Sequence, residues 1–567
     1  MKQFLRKKLF LLLLMIPFWS GAQELLPGGQ VHGNFQVDAQ YYKEDKAIGA
    51  EAVPEKVLSN AFANLIYTNG DFMAGLRYES YLDPMLGYDA RYKGSGIPYW
   101  FANYKAEIFE VTVGNFYEQF GSGMILRSYE ERNLGFDNAF SGIRVKVSPY
   151  KGVTFKGLIG KQRYFWDQGP GIVRGFDANI YLNELMPSLE NSKTRIELGG
   201  SFVSKYEASE EIVERVPVYL FPDSSVSYMT IPPKNVGAYS SRFTISHGKL
   251  ALSGEYAHKF NDAGYINHYI YKPGNALLLT GTYSQKGLGV ILSTKWMDNM
   301  SYKSRRKENL NFLDINYLPA LTKQHVYTLP AMYPYSTQPN GEMAIQAQVN
   351  YNIKKNTLLG GAYGTDVAVN FSTINSIVRN SVNDSTSVGE FGTSGYKTKF
   401  MAMGDERYFT DFNIEVLHKF NKRFKGNFSY VNLVYNEDVM KNYKGVPVVY
   451  AQVGLADLTL KVQKHNAVRL EMQHLWTNED KQNWALVLLE YDVAGKWFFA
   501  ASDQYNYGNK ESSQQLHYYN FAAGYISKAN RVQLSYGKQR EGIVCVGGVC
   551  RAVPASNGFS ISITSSF

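Results

Sequence analysis

The sequence predicts an all-β fold: a single large antiparallel transmembrane β-barrel of about 24 strands, with 22 to 26 as the bounds. Three observations predict it. Segments that alternate apolar and polar residues run for about a dozen positions, about twice the usual length of a soluble strand and enough for a tilted strand to cross a bilayer. Connections between these segments alternate between short and long, as they do when turns lie on one side of a membrane and loops on the other. The chain ends on an alternating segment closed by an aromatic residue, Phe567.

In chain order, Lys2, Arg6, Lys7 and Lys8 precede an apolar run from Leu9 to Trp19, and Ser20-Gly21-Ala22 follows it. The run is too short for a comfortable span and has a cleavage-site flank, so residues 1–22 read as a signal peptide. Residues 23–567 read as one barrel domain. No cysteine lies near the cleavage point, which argues against a lipid anchor. Alternation begins at Val31 and leaves no room for an N-terminal plug domain of the kind that TonB-dependent receptors place before their barrels.

The first strand sets Val31, Gly33, Phe35, Val37, Ala39 and Tyr41 on one face. His32, Asn34, Gln36, Asp38, Gln40 and Tyr42 occupy the other. Ile143, Val145 and Val147 likewise alternate with Arg144 and Lys146, and Val468, Leu470 and Met472 with Arg469, Glu471 and Gln473. One parity in lipid and the other in a wet lumen explains the pattern. The weakest strand is near Ile172–Leu182, where Asp177, Asn179 and Asn183 blur it. Asn69-Gly70-Asp71, His247-Gly248-Lys249 and Lys354-Lys355-Asn356 read as tight turns. Long connections include residues 82–97, 119–138, 207–234, 298–340 and 368–403, with both termini on the short-turn side. The last segment places Phe559, Ile561, Ile563 and Phe567 on one face, like the C-terminal signal by which the barrel-assembly machinery recognises such chains.

The formal charge of +9 includes the four basic residues of the leader and leaves about +5 on the mature chain. No basic block is present, so nothing points to nucleic acid. Cys545 and Cys550 flank Val-Gly-Gly-Val; an exported chain meets oxidising conditions, so a disulfide in an outward loop between the last two strands is expected. No further Cys or His stands at ligand spacing, so no metal site is expected. Gly121-Ser122-Gly123 is not a nucleophile elbow, and no His-Glu-x-x-His pair occurs. Neither an enzyme nor a cofactor is expected.

The segment from Tyr117 to Gly135 joins Gly121-Ser122-Gly123, taken as a flexible hinge, to Phe120, Met124, Ile125 and Leu126. Glu118, Arg127, Glu130, Glu131 and Arg132 accompany them. Such apolar residues are poorly placed in water, so this third long connection is expected to fold inward as a constriction. Glu130 and Glu131 would then face a basic lumen wall of Arg144, Lys146 and Lys156. With Gly160 to Trp166 on the next strand, residues 110–166 resemble an uncharacterised family of Bacteroidota outer-membrane proteins. The resemblance implies outer-membrane location and architecture and transfers no activity.

Two function classes remain. One is a porin-like channel for small solutes. The other is a structural or interaction component whose wide barrel is filled by a protein partner or by its own loops, residues 298–340 and 368–403 among them. Either works in outer-membrane lipid.

Overall fold

The computed structural model describes residues 28–567 apart from 209, 210, 219, 220, 443 and 548, with the backbone alone for 214–228. The expected signal peptide lies outside the described residues. Twenty-four antiparallel strands form the wall, each paired with its neighbours in the chain, and the ring closes where Gln30–Tyr42 meets Ser556–Ser566. Closure gives the terminal strands the partners that an open sheet would lack.

The period-two pattern sets the register. At the seam, Tyr41 lies opposite Phe559 and Phe559 opposite Tyr536. Ala39, Ile561 and Leu534 form the next rung, and Val37, Ile563 and Val532 the one after. These rungs point outward, while Asp38, Ser562 and Gln533 point into the lumen. A slip of one residue would exchange the two faces. Exposed aromatic residues ring both ends of the outer surface: Tyr104, Phe109, Tyr491 and Trp497 near the short turns, and Tyr450, Trp476, Phe521 and Phe559 near the loops.

Phe567 extends the seam. Its backbone N–H and C=O exchange hydrogen bonds of 2.9 Å with Gly33, and its ring occupies the space that a side chain at Gly33 would need. Deleting Phe567 should lower the yield of folded barrel, read as the fraction with heat-modifiable gel mobility. Gly33→Val should do the same with the C-terminus intact, at an overpacking cost of about 1–3 kcal/mol.

Three expected boundaries move. The long connection at 368–403 is mostly strand: Thr365–Asn380 and Lys397–Lys419 leave only 381–396 between them. This hairpin has shifting register in its upper part, from Ile374 onward, where Lys397, Lys399, Asp405, Glu406 and Arg407 interrupt the apolar alternation. Lys354-Lys355-Asn356 is not a tight turn but the start of an eleven-residue connection, 354–364. The strand near Ile172 is Asp167–Tyr181, one of the longer ones.

Candidate functional site in the barrel lumen

Two connections turn into the barrel. After Phe109–Phe116 the chain enters the lumen, where Phe120, Met124, Ile125 and Leu126 are wholly buried. They join Phe140, Leu158, Val173 and Val203 of the wall in one apolar cluster. Each such side chain contributes about 1.5–3 kcal/mol relative to exposure. The Gly121–Gly123 turn is fixed rather than flexible. Both glycines have positive φ (53° and 96°), and the Ser122 N–H donates to the Glu255 carboxylate at 2.7 Å. A side chain at Gly121 would press on that carboxylate.

Residues 299–340 form the larger filling. They are stitched to the first loop: the Arg127 N–H donates to the Ile315 carbonyl (2.8 Å) and the Tyr317 N–H to that of Gly123 (2.9 Å). Three wall lysines grip the loop's backbone. Lys205 donates to the Lys303 carbonyl (2.6 Å), Lys259 to that of Ser301 (2.7 Å) and Lys295 to that of Pro319. Lys205 and Lys295 are also paired with Asp262 (2.8 Å) and Glu342 (2.7 Å). Pairing is what permits an ammonium to be buried. Burial pushes the Asp262 carboxyl up, but Lys205 and Lys259 outweigh it and hold it below its ordinary value.

The loop then crosses to the far wall. His325 meets Asp411 (2.9 Å), Lys323 meets Glu415 (2.8 Å) and Tyr327 donates to Asp457 (3.0 Å). Leu329, Tyr333 and Tyr335 pack with Phe409, Tyr435 and Trp484 in a second apolar cluster. Above lies the hairpin Gly542–Val546 and Val549–Val553, in which Cys545 and Cys550 face each other and form a disulfide. The hairpin stands in the long connection between the last two wall strands, Asn530–Gln539 and Ser556–Ser566. It leans onto the inner loop, where the Tyr317 hydroxyl donates to the Gly547 carbonyl (2.7 Å) and Gln324 donates to that of Cys545 (3.1 Å). Cys545→Ser should cost about 2 kcal/mol or less, because the closed loop is short. It should leave heat-modifiable mobility of the barrel unchanged.

The expected constriction residues separate into two groups. Glu118 is the carboxylate that faces the basic wall, 2.8 Å from Lys156 and 3.5 Å from Arg144. Lys146 faces the lumen and is exposed. Glu130 and Glu131, expected there, lie elsewhere. Glu130 pairs with Arg77 (2.8 Å) and Arg132 (2.6 Å), and the Glu131 carboxylate accepts the Asn133 N–H (3.2 Å). Arg132 lies over the Phe62 ring, and Arg127 between the rings of Tyr129 and Tyr317. The physical reason is chain direction. Glu118 leaves the strand beside the wall lysine, whereas Glu130 sits on the loop's return toward the rim.

A buried charge cluster anchors that return. Arg163 contacts Glu79 (2.6 Å) and Asp137 (2.7 Å), and Arg77 contacts Glu79 (2.6 Å), Asp137 and Glu130. Burial pushes the Asp137 carboxyl up, but Arg163 and Arg77 hold it below the usual range. Its pairing is therefore fully present above about pH 3.9 and is lost only as pH falls through the depressed folded value.

Part of the wall stays clear. Ser502, Asn520, Ser535, Ser560, Ser562 and Gln36 line one arc of the lumen, all of them accessible to solvent. With Asp38, which lies opposite Ser562, they form a polar stretch of the inner wall beside the filling.

The sequence also decides kinship. The profile of a family of unknown function, DUF6029, matches residues 4–567. The chain belongs to that family. No curated protein matches it. Among solved structures it is similar to the P pilus usher PapC translocation pore, with 9% identity and a TM-score of 0.42 over 95% of this chain and 99% of that one. It is also similar to the siderophore receptor PirA from Pseudomonas aeruginosa (8%, 0.39, 95% and 80%) and to the unliganded ferric citrate transporter FecA (10%, 0.40, 95% and 78%). At these values the likeness carries no argument, and the fold rests on the strand pairing itself.

Members of DUF6029 are thus represented here by a barrel filled from within. Sequence reading missed the gripping lysines and the Arg77–Glu79–Asp137–Arg163 cluster. Arg77 and Glu79 sit at lumen parity near the loop-side end of their strand, where charge is ordinary, Asp137 sits on the inner loop, and Arg163 falls at the parity of the exposed Ile159, so nothing in the sequence marked the four as one group. Glu118→Gln should leave Lys156 and Arg144 less neutralised and shift any ion selectivity toward anions, read as the reversal potential in a salt gradient. Glu130→Gln should shift it less.

Proposed function

We propose that the chain is an outer-membrane barrel, delivered by the barrel-assembly machinery, that passes small hydrophilic solutes along the polar arc its two inner loops leave clear. The observation that carries this reading is the arc of Ser502, Asn520, Ser535 and Ser560, solvent-accessible beside the two packed clusters that fill part of the lumen. An apolar outer surface bounded by two aromatic girdles supports the membrane assignment. The same packing sets an upper limit on solute size, because the filling is tied to both sides of the wall. The alternative is a barrel that conducts nothing and serves as an assembly component. The Cys545–Cys550 hairpin leaning over the inner loop favours it, since it narrows the outer mouth. Single-channel recording of the purified protein in planar bilayers separates the two. Small, steady openings support the channel; silence in both the wild type and a loop-deleted form supports the assembly role.

A further inference from the structure

The wall opens beside one strand near its loop-side end. Strand Gly94–Lys105 pairs with Phe72–Tyr81 along its length, from Tyr104 opposite Phe72 to Gly94 opposite Tyr81. On its other side it pairs with Phe109–Phe116 only from Lys105 to Phe101, where Phe101 meets Gly114. At that point Gly114 has a positive φ of 98°, Asn115 and Phe116 pair only with Ser141 and Phe140 on their other side, and the chain after Phe116 leaves the wall for the lumen. The seven residues Gly94–Trp100 therefore present a free strand edge. Two adjustments ease it: the Asn115 side chain accepts the Trp100 N–H (3.0 Å), and Pro98 has no N–H to satisfy.

Across the gap stands the tight turn between Val153–Tyr164 and Asp167–Tyr181. A cavity of about 720 Å³ lies between the two sides. Asn115, Ser141, Arg163, Asp167 and Gln168 supply its polar lining. Two indoles frame it. Trp166 closes the top, with its N–H donated to the Tyr92 carbonyl (2.7 Å) and its ring against Gly94 and Gly96. Trp100 lies at the bottom with its ring over Gly114. Ile97 and Trp100 are about half exposed on the outer surface (54% and 51%).

A bare strand edge cannot face acyl chains, because each unpaired backbone group in hydrocarbon costs several kcal/mol. The gap calls for an occupant that is polar on one side and apolar on the other. Its chemistry is narrowed by its lining, in which the cation is Arg163, whose guanidinium is already committed to Glu79 and Asp137, so the lining itself offers no free cation to a phosphate. What remains is indole rings with amide, carboxylate and hydroxyl groups, which suit a polyhydroxylated ring: hydrogen bonds in its plane and apolar C–H faces against the rings. We propose that this notch holds the sugar headgroup of an outer-leaflet glycolipid, whose acyl chains run down past Ile97 and Trp100. The proposal rests on the transmembrane reading above.

Native mass spectrometry from detergent micelles tests it, with digalactosyl diacylglycerol, phosphatidylglycerol of the same chains, and free digalactose as probes. The proposal expects one glycolipid retained at energies that strip phosphatidylglycerol, and no retention of the free sugar. Trp100→Leu and Asp167→Leu, both at exposed positions, should each weaken glycolipid retention at least tenfold while heat-modifiable mobility shows the barrel intact. Equal retention of both lipids, equal retention by the variants, or binding of the free sugar alone would each overturn it. Flotation with liposomes distinguishes the levels: protein that does not float overturns the membrane reading along with the notch. Protein that floats and shows no glycolipid preference overturns the notch alone.

Discussion

Replacing residues 300–339 by a two-residue turn should raise single-channel conductance severalfold. Asp298 and Gly341 lie opposite each other in the register, so a tight turn joins their strands without distorting the wall. The deletion removes the crossing from the lysine side to Asp411, Asp457 and Gln473, whose side-chain oxygen accepts the Leu329 N–H (2.9 Å), and exposes the wall half of both apolar clusters. Lys205 and Lys295 keep Asp262 and Glu342 as partners, and Lys259 would be hydrated once the lumen fills with water. The barrel should therefore still fold. It should also admit larger solutes, while the wild type should not. Equal conductance with and without the loop would mean that the permeation path does not lie beside it.

Arg163→Met should be the most damaging single substitution in the wall. It removes the partner of two buried carboxylates, Glu79 at 1% and Asp137 at 7% side-chain exposure. Arg77 cannot neutralise both while also holding Glu130. Breaking a buried pair from one side typically costs about 3–5 kcal/mol. The loss should appear as a lower denaturant midpoint in detergent and as new proteolytic cleavage within residues 117–139. Adding Asp137→Asn removes one of the stranded charges, so the double variant should be less destabilised than the sum of the singles. Simple additivity would show that the two groups are not coupled as the geometry implies.

The wall was legible in the sequence because two solvents write on it. At the seam, Val37, Ile561 and Leu534 face one medium and Asp38, Ser562 and Gln533 the other, so parity alone places them. The inward fold of Phe120 to Leu126 was legible for the same reason, since four apolar residues in a nominal loop need cover. The hairpin above Ile374 was not, because Lys397, Lys399, Asp405, Glu406 and Arg407 break the alternation there. Glu118 and Glu130 were confused because both are carboxylates on one loop. Only the path of the chain, fixed by the Gly121–Gly123 turn and the crossing at Ile315, says which reaches Lys156. Lys205, Lys259 and Lys295 escaped notice because a lysine at lumen parity looks the same whether water or a carbonyl receives it. The gap beside Gly94–Trp100 arises from where Phe109–Phe116 ends, a register event that leaves no mark on composition.

Permeation of graded sugars into liposomes carrying the wild-type protein tests the central claim most directly. A polar passage beside a fixed filling predicts that small sugars enter, that entry falls off steeply with size, and that the loop-deleted form moves the cutoff upward. Liposomes that exclude every solute in both forms, with the barrel shown to be folded and inserted, would contradict it.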